Sequence, residues 1–136
     1  MSNLSAFLHP VTTQEEKEVI LSKRFLDETG EPAKFKIRSI TQEEADTLLK
    51  QSTRSVKRRD GSMDQSVDGQ DFNRRLIVAA TVVPDFKATE MCSAYGVMDP
   101  LLVPGKMLFS GEFSNLLREI LDLSGRDNAG EDEAKN

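Results

Sequence analysis

The chain has 136 residues, of which 38% are apolar and 30% charged, and it carries a net charge of −5. That length fits one globular domain, and the acidic balance argues against a surface that binds nucleic acid at large, because a polyanion repels it. Cys92 is the sole cysteine, which excludes an intramolecular disulfide and a zinc site built from several thiolates.

The start, Met1 to Leu8, lacks the basic and apolar regions of a secretory signal. No apolar run approaches the roughly 20 residues that cross a bilayer; the longest, Leu76 to Val83, is interrupted by Thr81. Leu4, Phe7 and Leu8 have helical spacing and predict one apolar-faced turn docked on the body, ended by Pro10. Val19, Ile20, Leu21, Phe25 and Leu26 read as a strand, followed by the turn signal Asp27-Glu28-Thr29-Gly30-Glu31-Pro32. Lys34-Phe35-Lys36-Ile37-Arg38 alternates cation and apolar residue, the period of a half-buried strand. Together these predict an antiparallel β-hairpin with a loop of about six residues.

Thr41-Gln42-Glu43-Glu44 is a capping box opening a helix whose inward stripe is Ala45, Leu48 and Leu49. From about 52 to 70 the chain turns polar, gains Gly61 and Gly69, and loses periodicity, which predicts an exposed flexible loop. Phe72, Leu76, Ala79, Ala80 and Val83 then lie on one helix face, closed by Pro84. A shorter helix fits between Phe86 and Tyr95, with Gly96 as its left-handed cap. Asp99-Pro100 reads as an N-cap with proline at the first position, and Pro104-Gly105 should break the turn it opens. Phe113, Leu116, Leu117, Ile120 and Leu121 mark a final helix, with Gly125 just past its end. Arg126 to Asn136 has no large apolar side chain to offset its ordering entropy and is expected to be a disordered tail. The expected fold class is α+β: an N-terminal antiparallel hairpin, then a mainly helical part, in one domain over 1–125.

Catalytic signatures are sparse. His9 has no second histidine to complete a metal site or a Ser-His-Asp set, and no Gly-x-Ser-x-Gly elbow, phosphate loop or dinucleotide motif occurs. Cys92 between Met91 and Ser93 reads as a small apolar side chain. Lys57-Arg58-Arg59 is the best candidate for nucleic-acid contact, although no aromatic stacking partner adjoins it and Asp60, Asp64 and Asp68 follow. Leu101, Leu102, Val103, Met107, Leu108 and Phe109 are apolar without clear periodicity, so they cannot all face one core. Either they form a groove that covers a partner helix, or they pack beneath the final helix.

Read in order, the segments Leu4-Ser5-Ala6-Phe7-Leu8, Ser22-Lys23-Arg24-Phe25, the 27–32 turn and Ile37 to Glu44 form the first half of a series. Arg75 to Ala80, Pro84-Asp85-Phe86, Tyr95-Gly96-Val97, Asp99-Pro100, Lys106-Met107-Leu108 and Gly111-Glu112-Phe113 complete it. The series, over about residues 2 to 125, resembles the XkdN-like family of phage tail assembly chaperones from phages and prophages of Gram-positive bacteria. Pro104-Gly105 departs from the more helical stretch expected there.

The resemblance implies a non-catalytic protein of the host cytoplasm that coats the tape measure protein, helps recruit tail tube subunits and is absent from the finished virion. It implies no cofactor, metal, membrane, nucleic acid or small-molecule substrate, and it allows self-association. Such chaperones are often made in two lengths by ribosomal frameshifting, and Ala134-Lys135-Asn136 can be encoded by a slippery run, which makes this chain a candidate short form. The rival readings are a structural connector or tail-completion protein, and a nucleic-acid binder using Lys57, Arg58 and Arg59.

Overall fold

The computed structural model describes residues 4–125, in which six α-helices and five β-strands fold around one apolar core. Strands β1 (Glu16–Val19), β2 (Phe35–Arg38) and β5 (Thr81–Val83) form an antiparallel sheet in the order β1-β2-β5. The alternation along β2 sends Phe35 and Ile37 into the core and leaves Lys36 and Arg38 half-exposed on the outer face. Glu16 pairs in register with Arg38 and Val19 with Phe35.

The hairpin therefore forms, but β1 lies earlier than the expected strand. Ile20 to Lys34 is a long connection, pinched by an isolated bridge between Leu26 and Pro32. Asp27 organises the pinch: its carboxylate accepts from the amides of Thr29 and Glu31, and Gly30 takes φ 83°, which an L side chain resists.

Helix α1 (Leu4–Leu8) forms as its spacing predicts but does not dock: it has no buried residue, and Phe7 is 81% exposed. Five residues cannot cover an apolar face and also sink it into the body. Helix α2 (Gln42–Gln51) starts with the complete capping box, Thr41 Oγ1 accepting from the Glu44 amide at 3.2 Å while the Glu44 carboxylate accepts from the Thr41 amide at 3.0 Å. Arg38 reaches from β2 to the same carboxylate at 2.8 Å, locking sheet to helix. Its hydrogen bonds, more than any other cause, hold the Glu44 carboxyl below the usual glutamate range. Ala45 and Leu48 face inward as expected, whereas Leu49 stays on the surface.

Where an irregular loop is expected at 52–70, the chain forms a second hairpin of β3 (Thr53–Lys57) and β4 (Met63–Val67). The apolar residues of these strands, Val56 on β3 and Met63 and Val67 on β4, follow no two-residue period, and both strands are almost wholly exposed, so a search for a buried face passes over them. Ser52 anchors its base: the hydroxyl is buried, donating to the Leu48 carbonyl, and its own carbonyl accepts from the Asp68 amide.

Asp68 then caps α3 (Gly69–Ala80). Leu76, Ile77 and Ala80 of this helix are fully buried, and it packs against α2, β5 and the helices at 103–107 and 110–123. It ends at Ala80, earlier than Pro84 would require, because Thr81-Val82-Val83 is a β-branched run that pairs with β2 instead. Val83 accordingly leaves the helix face assigned to it.

Helix α4 (Thr89–Ala94) is followed by Gly96 at φ 67°. Asp99 caps a 3-10 turn at Pro100–Leu102, its carboxylate accepting from the Leu101 amide at 3.0 Å. Pro104-Gly105 does not break the chain; it lies inside α5 (Val103–Met107). Proline in a first turn removes only an amide that has no intrahelical acceptor. Helix α6 (Ser110–Leu123) inserts Leu116 and Ile120 into the core and passes to Gly125 at φ 74°. The expectation for Arg126 to Asn136 lies outside the described residues.

Burial sets the expected costs. Leu116→Ala, at a fully buried position, should lose about 2–5 kcal/mol in urea unfolding, and Leu49→Ala no more than about 0.5 kcal/mol. The Thr81 hydroxyl is buried with no hydrogen-bond partner among the described residues. Thr81→Val should therefore raise stability by about 1 kcal/mol in the same measurement.

Candidate partner-binding surface

The six apolar residues between the 3-10 turn and α6 divide into two sets. Val103, Met107 and Leu108 lie in the core, and Leu101 is half-buried against it, so these four pack beneath the helices. Leu102, 47% exposed, and Phe109, 63% exposed, flank α5 and present apolar surface to solvent. A continuous groove of all six does not exist, because Val103 and Met107, four apart, share the inward face of α5, Leu108 follows them into the core, and Leu102 and Phe109 lie beyond the ends of that helix on the surface.

Phe109 is exposed but not loose. Arg24, in the connection after β1, lays its guanidinium 3.8 Å from the Phe109 ring centroid and 4.7 Å from that of Phe25. Phe25 in turn meets Phe35 of the core edge-on, with centroids 5.8 Å apart. Arg24 also donates to the Met107 carbonyl at 3.0 Å and forms an ion pair with Glu112 in the first turn of α6. The Glu112 carboxylate accepts from the Phe109 amide at 2.8 Å, satisfying a donor that the start of α6 leaves orphaned. One arginine thus ties a surface ring, two chain segments and a helix start together.

Hydrogen bonds from Arg24 are the main cause that lowers the Glu112 carboxyl from its ordinary 4.5 to about 2; the Phe109 amide and the Ser22 hydroxyl add to this, and partial burial opposes it. Neither Arg24 nor Glu112 is recoverable from apolar periodicity. Both residues do lie in the family-like segments Ser22-Lys23-Arg24-Phe25 and Gly111-Glu112-Phe113, and Glu112 stands three residues after Phe109, the spacing of the second half of a capping box.

Lys57, Arg58 and Arg59 come together at the tip of the β3–β4 hairpin. Arg58 is paired with Asp64 at 2.6 Å, and the tip closes through the Arg58 amide on the Ser62 carbonyl, with Gly61 at φ 89°. His9 follows the exposed α1, and Cys92 is half-buried with its sulfur 4.0 Å from the Phe86 carbonyl. Among the described residues there is no cluster of three or more His, Cys, Asp or Glu able to hold a metal ion, and no helix long and apolar enough to cross a membrane.

The family model of the phage XkdN-like tail assembly chaperone protein matches residues 4–135. The chain belongs to that family. YqbN of Bacillus subtilis (strain 168) is 36% identical over 132 residues, covering 96% of this chain and 89% of YqbN. The phage-like element PBSX protein XkdN of the same strain is 36% identical over 141 residues, covering 98% of this chain and 94% of that protein. The crystal structure of YqbN superposes with a TM-score of 0.76 at 35% identity, covering 93% of this chain and 99% of that one. The tail assembly chaperone family and kinship with a prophage-like element are thereby established.

The Arg24–Glu112 pair in this XkdN-like chain should be visible as pH dependence. A carboxyl lowered on folding stabilises the fold above its unfolded value, near 4.5, and that contribution is lost as pH falls toward about 2. Glu112→Gln should therefore melt below the wild type at pH 6, and the gap should close between pH 4.5 and 2 in a series of thermal melts. A gap that stays constant across that range would place the stabilisation elsewhere.

Proposed function

We propose that this protein acts as a non-catalytic chaperone in phage tail assembly, binding the tape measure protein in the host cytoplasm and helping to bring tail tube subunits to it. Family membership over nearly the whole chain supports the reading. The observation that carries it is Phe109, an aromatic ring largely exposed to solvent yet held in place by Arg24. A rigid exposed aromatic loses little conformational entropy when a partner helix covers it, which is the character of an interface anchor. Leu102, at the other end of α5, adds a second apolar contact point. The partner surface proposed is thus Leu102 and Phe109, with Leu101, Val103, Met107 and Leu108 as the packed layer that supports them.

In this reading the protein takes no cofactor, small molecule, membrane or nucleic acid, and leaves before the virion is complete.

Co-expression with the tape measure protein of the same phage tests the binding claim. The wild type should raise that partner's soluble fraction several-fold, and Leu102→Ser with Phe109→Ser should remove most of the gain while the melting temperature shows the chaperone still folded. An unchanged soluble fraction with the wild type would sink the proposal. Mass spectrometry of purified virions separates it from a connector: a chaperone is absent, a connector is present at stoichiometric level.

A further inference from the structure

The β3–β4 hairpin is an arm with no role in the core. Every residue of both strands is exposed except the half-buried Thr53, and the arm meets the body at its base, through Ser52, Asp68 and the Arg54–Asp68 pair at 3.6 Å. A lone two-stranded hairpin is marginal in water, and the outer edge of β3 presents backbone donors and acceptors to another strand, whereas on β4 the Gln65 amide already donates to the Asp64 carboxylate at 2.9 Å. Val56, Met63 and Val67 are about half-exposed or more, so the arm also carries apolar surface to solvent.

Charge says what kind of surface it fits. The arm, 53–67, holds Arg54, Lys57, Arg58 and Arg59 against Asp60 and Asp64, net +2, which leaves −7 on the rest of a chain whose total is −5. Its cations belong to β3 and the tip. The complementary feature is β1, an outer strand of the three-stranded sheet that pairs only with β2. Glu16, Lys17 and Glu18 of β1 are exposed, and Glu16 and Glu18 share its outer face; Lys36 of β2 pairs with Glu16 at 3.5 Å, so an incoming cation shares that carboxylate with Lys36 and meets Glu18 beside it. They border a shallow concavity. The other outer strand, β5, is shorter and is followed at once by Pro84, which limits strand addition there. β1 and β3 differ in length by one residue.

We propose that the β3–β4 arm of one copy docks along the free edge of β1 in a second copy, β3 adding to the sheet by main-chain hydrogen bonds while Lys57 and Arg59 meet Glu16 and Glu18. The two surfaces lie at different places on the molecule, so the contact is heterologous. Repeated, it builds an open chain or a ring rather than a closed two-fold dimer. This is a self-association surface, distinct from the Leu102 and Phe109 surface and independent of which partner those residues meet.

Sedimentation of the full chain over a concentration series tests it. At 0.1 M salt, where the Debye length is about 10 Å, the wild type should form species larger than a dimer, and at 1 M salt, with a Debye length of about 3 Å, these should dissociate. Lys57→Glu with Arg59→Glu should weaken association ~10-fold or more, and Glu16→Lys with Glu18→Lys should do the same. Mixing the two charge-reversed proteins should restore assembly, since each arm then meets an opposite edge; thermal melts confirm that both remain folded. Restored assembly on mixing supports the proposal. A wild type that stays monomeric throughout overturns it, as does association unchanged by either reversal. So does a monomeric wild type whose arm instead binds duplex DNA and loses it on Lys57→Glu with Arg59→Glu.

Discussion

Helix α3 is held on several sides at once. Its Leu76, Ile77 and Ala80 are completely buried, and α2, α5, α6 and β5 all pack on it, so the positions of these elements relative to one another follow from their common contact with one helix. Close packing gives such a helix little freedom to shift. The sheet is then located through β5, which continues directly from the end of α3 and pairs with β2. Ile37 of β2 reaches complete burial beneath this arrangement, and Leu116 and Ile120 of α6 close it from the other side.

Polar contacts attach the outer pieces to that core at specific points. Arg38 joins β2 to the start of α2 through Glu44, Lys17 joins β1 to α6 through Glu119 at 3.1 Å, and Arg24 joins the long connection after β1 to the start of α6. Exposed ion pairs of this kind add little stability individually. Their effect here is placement: Lys17 and Arg24 link segments distant in the chain, Arg38 fixes the short passage from β2 into α2, and Arg24 leaves Phe109 with one ring face covered by a cation and the rest of it turned to solvent.

The molecule thus separates a rigid body from what it offers to others. α1 and the β3–β4 arm contribute no fully buried side chain, and both carry apolar residues outward, a pattern suited to association rather than to chemistry. Membership of the XkdN-like tail assembly chaperone family agrees with that division.

Much of this was legible in the residues themselves. The period-2 alternation of β2, the capping box at Thr41, the left-handed glycines at 96 and 125 and the stripe of α6 are local signals, because propensity, capping and amphipathicity act over a few residues. The ordered motifs also carried the family. Tertiary structure decided the rest: that α3 stops at Ala80 so β5 can pair with β2, that 53–67 folds as a hairpin on its own cross-strand contacts, and that α1 stays on the surface. It also split the apolar stretch, sinking Val103, Met107 and Leu108 and leaving Leu102 and Phe109 outside. Hydrophobicity along a chain says that a side chain prefers burial, but which side chains obtain it depends on elements remote in sequence, here α3, α6 and the arginine at position 24.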